Sequence, residues 1–121
     1  MSIKVLAVDD SRTMRDMISF ALKDLGFSVR TAEDGVDGLK ALEEHAPDVI
    51  ITDINMPRLD GFGFIDAVRN REASRVTPIL VLTTEDSDEL KVRARTSGAT
   101  GWIVKPFDQD KLVRVLNSVA G

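Results

Sequence analysis

The chain has 121 residues, a formal net charge of −4 and no cysteine. This length suits one domain, residues 1–121, and the lack of thiols excludes disulfides and cysteine-ligated zinc sites. The acidic balance argues against direct binding of nucleic acid, and no apolar run approaches the ~18 residues of a membrane span. The N-terminal segment enters a strand almost at once without a signal-peptide pattern, so the cytoplasm is the expected location.

Short apolar segments alternate with segments of helical period along the first half of the chain. Residues 3–8 predict a strand, and a helix ending at Gly26 follows. The stripe expected to be buried on this helix comprises Met14, Met17, Ile18, Ala21, Leu22 and Leu25. Ser28–Ala32 predicts a second, more polar strand suited to a sheet edge, and a second helix follows it.

The second half continues the same alternation. Further strands are predicted at residues 49–52, 79–82 and 102–104. The helix at about residues 87–97 has a poor apolar stripe, so we expect it to shift most easily, and Asp108 is expected to cap the last helix. This alternation, with nearly continuous apolar strands, predicts an α/β fold: a doubly wound, five-stranded parallel sheet, (βα)₅, with helices on both faces.

Polar residues follow four of the predicted strands. Asp9 and Asp10 follow the first strand, Asp53 the third, Thr83 the fourth and Lys105 the fifth. Ligands of open α/β sheets bind beyond the carboxyl ends of the strands, so we expect these side chains on one rim. Three neighbouring carboxylates repel by ~4 kcal/mol per close pair at ~4 Å unless a cation or a proton is taken up. Hard oxygen ligands favour Mg²⁺, with Mn²⁺ as a substitute.

A cation, an ammonium group and a hydroxyl donor together suit the oxygens of a phosphoryl group, and one carboxylate could act as the nucleophile. Each residue alone also has a plain structural interpretation. A strand-end Asp often forms a turn, Asp10 could cap a helix, Lys105 could be a solvated charge and Thr83 a turn hydroxyl. Their shared position favours the phosphoryl site.

Four motifs together resemble the receiver domains of two-component response regulators, and in particular the single-domain members that act in chemotaxis. They are VDDS at 8–11, TDINMPRLDG at 52–61, LTTE at 82–85 and GWIVKPF at 101–107. The resemblance implies a flavodoxin-like fold with strand order 2-1-3-4-5 and a cis Lys105–Pro106 peptide. It also implies that Asp53 accepts the phosphoryl group, that Asp10, Asp53 and the Asn55 backbone carbonyl bind Mg²⁺, and that Asp9 acts through bound water.

The resemblance further implies roles for the other rim residues and a set of partners. Thr83 would donate its hydroxyl to the phosphoryl group, Lys105 would pair with it, and Asn55 and Glu85 would tune hydrolysis. A histidine kinase or histidine phosphotransfer domain would donate the phosphoryl group, and a flagellar motor switch protein would bind the phosphorylated form. A phosphatase is a further candidate partner. Such a chain is a monomeric switch with weak self-catalysed phosphorylation and dephosphorylation, and not an enzyme proper.

Three further positions carry specific expectations. Trp102 lies where the family's switch aromatic is usually Tyr or Phe, so it is either a half-exposed strand residue or a ring that turns inward when Thr83 moves. Thr84 lies where Ala or Gly is common, and we predict that it narrows access to Asp53. His45 is expected at the surface.

Three alternative functions remain open. A phosphatase of the haloacid dehalogenase type also uses Asp, Thr, Lys and Mg²⁺, but its nucleophile follows strand one in a D-x-D pattern. A flavodoxin-type cofactor carrier would need a Ser/Thr/Gly phosphate cradle where this chain has Asp9-Asp10-Ser11. A phosphorelay shuttle or phosphate sink would keep the receiver chemistry without binding a motor.

Overall fold

The structure, a computed structural model, describes residues 2–120. Its elements are β1 (Lys4–Val8), α1 (Arg12–Lys23), β2 (Ser28–Ala32), α2 (Gly35–Glu44), β3 (Val49–Thr52), α3 (Gly61–Arg69), β4 (Ile79–Thr83), α4 (Asp88–Ser97), β5 (Gly101–Val104) and α5 (Gln109–Ala120). A short 3₁₀ helix, Glu72–Ser74, links α3 to β4. The predicted alternation of strands and helices is therefore confirmed.

The five strands form one parallel sheet in the order β2-β1-β3-β4-β5. The predicted fold class and strand order are confirmed, and the polar strand β2 lies at an edge. Val8 pairs with both Ala32 and Thr52, so β1, β2 and β3 end level with one another. This register brings the residues that follow each strand to one rim of the sheet.

Two clusters of buried side chains lie between the sheet and the helices, one on each face of the sheet. Side chains alternate between the faces of a strand, so Leu6 packs in one cluster and Val5 in the other. The first cluster includes Phe64 of α3 and Ala94 of α4, and the second includes Leu22 of α1 and Leu116 of α5. The fold therefore has three layers, with the rim residues at the end of the middle layer.

The first helix differs from its prediction on one flank. Ile18 and Leu22 are buried, but Met17 and Leu25 are 51% and 49% exposed. Leu25 lies beyond the end of α1, in the turn that reverses at Gly26 (φ +92°), where helical spacing no longer applies. Met17 lies about 100° around the helix from Ile18 and so falls outside the narrow buried stripe.

The helix caps settle one open interpretation of the rim. Ser11 caps α1, and its hydroxyl accepts a hydrogen bond from the Met14 N–H at 3.2 Å. Asp10 was the other candidate for this cap, and that interpretation is wrong. Asp108 accepts from the Asp110 N–H at 3.0 Å and caps α5 as predicted.

His45 follows the last residue of α2 and is half-buried, which corrects its expected surface location. Its Nε2 is buried without a hydrogen-bond partner among residues 2–120. Burial and the nearby charges of Lys4 and Arg30 lower the pKa of this imidazole. Within the part of the chain that the structure describes, no helix combines the length and the hydropathy needed to cross a membrane.

Candidate functional site

Three carboxylates meet at the carboxyl ends of β1 and β3. Oxygen atoms of Asp9, Asp10 and Asp53 all lie within 4.8 Å of one another. The Asp53 N–H donates to the Val8 carbonyl at 2.9 Å, which extends the β1–β3 pairing by one residue. Asp9 and Asp53 are buried, whereas Asp10 is exposed. The structure thus brings together the three carboxylates that the sequence placed on one rim.

Hydrogen bonds fix the two buried carboxylates. Asp53 Oδ1 accepts from the Ile54 N–H at 2.6 Å, and Asp9 Oδ1 accepts from the Ser11 N–H at 2.9 Å. The remaining oxygen of each carboxylate accepts from the Lys105 ammonium, at 2.7 Å for Asp9 Oδ2 and 2.9 Å for Asp53 Oδ2. Because both oxygens of each group are engaged, neither carboxylate can rotate without losing a hydrogen bond.

Lys105 is the cation of the site, and its side chain is only 10% exposed. Burial alone lowers the pKa of this ammonium, but the hydrogen bonds to Asp9 and Asp53 outweigh burial and raise the pKa overall. The group therefore stays charged at neutral pH. The peptide between Lys105 and Pro106 is cis, as the resemblance implies.

Glu85 connects three of the predicted site residues. Its backbone N–H donates to Thr83 Oγ1 at 3.3 Å, and its backbone carbonyl accepts from Trp102 Nε1 at 3.1 Å. Its carboxylate accepts from Asn55 Nδ2 at 3.3 Å. Trp102 is half-buried and packs against the first core cluster, so it is anchored by its N–H and by its ring. Thr84, which lies between Thr83 and Glu85 in the sequence, is exposed.

The loop after β3 closes tightly against the site. The Gly61 N–H donates to the Ile54 carbonyl at 2.8 Å. A Cβ at Gly61 would lie 2.3 Å from the Asp53 carbonyl oxygen, so any larger residue would displace the segment that carries the nucleophile candidate. The glycine of the LDG motif is required here by close backbone approach.

Two contacts were absent from the sequence predictions. The Arg15 guanidinium donates to the Asp9 backbone carbonyl at 2.7 Å and supports the turn that carries Asp9 and Asp10. Arg58 pairs with Asp34 at the start of α2. The short spacing of Asp9 and Arg15 suggests a contact between the end of β1 and α1. The Arg58–Asp34 pair joins two loops that are distant in the sequence, so no local sequence pattern predicts it.

The donor set fits a hard divalent cation. Three carboxylates and one ammonium carry a formal net charge of −2, because three negative charges face one positive charge. All available ligand atoms in this cluster are carboxylate oxygens, which Mg²⁺ and Mn²⁺ prefer. The cluster can therefore hold a metal ion beside the candidate nucleophile.

Known proteins are similar to this chain in both sequence and fold. Residues 5–117 match the family described as the response regulator receiver domain. The protein of Rhizobium etli named "Probable chemotaxis protein CheY" is 38% identical over 120 residues, which cover 98% of this chain and 93% of that protein. Chemotaxis protein CheY4 of Vibrio cholerae has 48% identity and a TM-score of 0.94, with 98% of this chain and 99% of that chain covered.

A second similar structure carries a metal. It is the receiver domain of a sensor histidine kinase from Pseudomonas aeruginosa, with a magnesium ion coordinated in its active site cleft. It is 27% identical, has a TM-score of 0.92, and the match covers 100% of this chain and 99% of that chain. These matches confirm the resemblance drawn from the four motifs and leave the dehalogenase-type and flavodoxin-type alternatives without support. The chain belongs to the receiver domain family of two-component response regulators.

Proposed function

We propose that this receiver is a phosphorylation-activated switch in which Asp53 accepts a phosphoryl group from a phosphohistidine. The observation that carries the proposal is the setting of Asp53, whose carboxylate lies in an acidic cluster between the Ile54 amide and the Lys105 ammonium. A nucleophile held in one orientation beside a fixed cation suits transfer of a group that carries negative charge.

Asp10, Asp53 and the Asn55 backbone carbonyl would hold Mg²⁺, with Asp9 acting through bound water. The oxygen ligands and the formal charge of the cluster support this assignment. When bound, the ion supplies positive charge that offsets the repulsion between the carboxylates and the phosphoryl oxygens.

The chain's own residues would take part in both the transfer and the later hydrolysis. An oxygen of Asp53 forms the new O–P bond while the P–N bond to the donor imidazole breaks and the ring nitrogen keeps the electron pair. Lys105 pairs with the phosphoryl oxygens, and the Thr83 hydroxyl donates to them. Because Thr83 accepts from Glu85, its own proton remains available for this role. Hydrolysis later breaks the O–P bond, with water attacking phosphorus and Asp53 leaving as a carboxylate.

The output would pass through the backbone of Glu85. Rotation of Thr83 toward the phosphoryl group would weaken its hydrogen bond from the Glu85 N–H, and the carbonyl of the same residue accepts from Trp102 Nε1. Helix α4 begins at Asp88, three residues after Glu85, and Ala94 is its one buried residue. A small helix–core contact makes α4 the element that such a change would shift.

The upstream partner would be a histidine kinase or a histidine phosphotransfer domain, and the downstream partner a flagellar motor switch protein. The similarity to chemotaxis proteins supports the downstream assignment. A phosphorelay shuttle or phosphate sink is the second candidate, because it would use the same site. In either role the chain is a switch with slow self-catalysed turnover and not a classical enzyme.

Asp53→Asn tests the phosphoacceptor. We expect the variant to incorporate no label from radioactive acetyl phosphate with Mg²⁺, because the amide is a poor nucleophile. Asp66→Asn is the matched control, since Asp66 is an exposed carboxylate on α3, and it should label like the unsubstituted protein. Labelling of Asp53→Asn at the control level would contradict the proposal.

A further inference from the structure

Arg58 adopts a backbone conformation that is unusual for its residue type. Its φ is +66°, and it is the one non-glycine residue between 2 and 120 with a positive φ. The Leu59 N–H donates to the Pro57 carbonyl at 2.7 Å, which closes a three-residue turn around Arg58. A turn of this kind with positive φ at its centre is rare and strained, so the surrounding contacts must stabilise it.

The Arg58 side chain supplies such a contact. Its Nε donates to Asp34 Oδ2 at 2.6 Å, and the Asp34 side chain is only 3% exposed. Asp34 Oδ1 meanwhile caps α2 by accepting from the Asp37 N–H at 2.9 Å. The hydrogen bond from Arg58 lowers the pKa of Asp34 more than burial raises it. The carboxylate therefore joins the α2 cap to the loop after β3.

A second contact reinforces this junction. The Gly35 N–H donates to the Leu59 carbonyl at 3.2 Å, and a Cβ at Gly35 would lie 2.6 Å from that oxygen. The start of α2 and the loop after β3 are therefore in direct backbone contact at the position where Arg58 reaches Asp34.

The same loop is bound to the acidic site at its other end. The Ile54 N–H donates to Asp53 Oδ1, and the Ile54 carbonyl accepts from the Gly61 N–H. Asn55, whose backbone carbonyl is a proposed ligand, lies between these bonds and the Arg58 turn. Arg58 is thus three residues along the chain from Asn55 and its carbonyl.

We infer that Arg58 is a positioning residue: its ion pair with Asp34 offsets the strain of the turn and holds the Asn55 carbonyl and Asp53 in place for the divalent ion. The inference rests on the proposed function. Most exposed ion pairs contribute little, but this one joins an exposed arginine to a buried carboxylate that also caps a helix.

Two substitutions separate positioning from simple stabilisation. Arg58→Gly removes the guanidinium, and glycine adopts positive φ without strain. Asp34→Asn removes the charge, and asparagine remains a good helix cap. We expect each variant to raise the Kd for Mg²⁺ about fivefold, because residues behind metal ligands commonly affect affinity by tenfold or more and this pair acts through a short loop. The double variant should bind Mg²⁺ with the same Kd as either single variant, because both substitutions remove the same contact.

The measurement is calorimetric titration of Mg²⁺ without a phosphodonor, together with the urea midpoint of unfolding. Arg71→Ala is the matched control, because it removes the exposed Arg71–Glu43 ion pair away from the site. It should leave the Kd for Mg²⁺ unchanged. A lower urea midpoint with an unchanged Kd in both Arg58→Gly and Asp34→Asn would show a structural role and overturn the inference. Absence of Mg²⁺ binding by the unsubstituted protein would instead overturn the proposed metal site, and the inference with it.

Discussion

Lys105 determines the charge balance of the site at the residue scale. Its ammonium lies between Asp9 and Asp53 and leaves Asp10, the exposed member of the cluster, as the carboxylate nearest to solvent. A cation entering from solvent would therefore meet Asp10 first. The arrangement keeps the nucleophile candidate buried and paired while the acidic edge stays open to an ion.

By the resemblance, Thr84 stands where Ala or Gly is common, directly after the site residue Thr83. We predict that Thr84→Ala raises the rate of autodephosphorylation by roughly threefold, about 0.65 kcal/mol in activation free energy, because it widens the path of water to Asp53. The rate is measured as loss of label after the phosphodonor is removed. Thr84→Val keeps the bulk without the hydroxyl and should retain the original rate. An unchanged or lower rate in Thr84→Ala discards the prediction.

At the scale of elements, strand ends were easier to predict than side-chain exposure. Apolar runs end where a strand leaves the core, so the positions of Asp9, Asp53 and Lys105 followed from the sequence. The exposure of Met17 did not follow, because helical spacing does not reveal how wide a stripe its neighbours cover. The Arg58–Asp34 pair also escaped prediction, since a positive φ at arginine has no signature in composition or period.

Arg69 is a further arginine that the sequence did not single out, and it anchors the end of α4. Its guanidinium donates to the Gly98 carbonyl at 2.8 and 3.0 Å. It also donates to the carbonyls of Thr77, Ser74 and Arg75 at 2.7, 3.1 and 3.2 Å. Gly98 ends α4 with φ +116°, and a Cβ there would lie 2.8 Å from Arg69 Cγ. The C-terminal end of α4 is therefore fixed more firmly than its buried apolar surface would suggest.

We predict that Arg69→Gln lowers the free energy of unfolding by about 2 kcal/mol, because several charged hydrogen bonds to backbone carbonyls are lost. It should also speed amide hydrogen exchange in the last turn of α4 more than in α1. Urea unfolding and hydrogen exchange measure the two effects.

Arg71→Gln is the control for this prediction. Arg71 lies two residues further along and makes one ion pair with the exposed Glu43 at 3.2 Å, so its loss should cost no more than about 0.5 kcal/mol. Equal effects of the two substitutions would show that Arg69 does not anchor α4.

At the scale of the whole molecule, the site lies at the carboxyl ends of the central strands, and the output surface that we propose, formed by α4, β5 and α5, lies at the β5 edge of the sheet. The carboxylates of the site follow β1 and β3, whereas α4 and α5 flank the edge strand β5. Trp102 on β5 and Glu85 before α4 connect the two through one hydrogen bond. Because Arg69 anchors the C-terminal end of α4 and Ala94 is its one buried residue, its N-terminal end would move most when the backbone of Glu85 changes its hydrogen-bond partners.

Capture experiments test this arrangement with motor switch and histidine phosphotransfer proteins as baits. We expect a beryllofluoride-type phosphoryl mimic with Mg²⁺ to increase capture by the motor switch protein at least tenfold. This ratio corresponds to a gain of about 1.4 kcal/mol or more in the free energy of binding to that protein. Asp53→Asn should show no response to the mimic, and Asp66→Asn should respond fully. Capture by the motor switch protein that does not depend on the mimic contradicts the switch. Capture by the phosphotransfer protein alone would favour the shuttle or sink. Asp53 would then exchange phosphoryl groups with that protein, and no partner would bind the surface around α4.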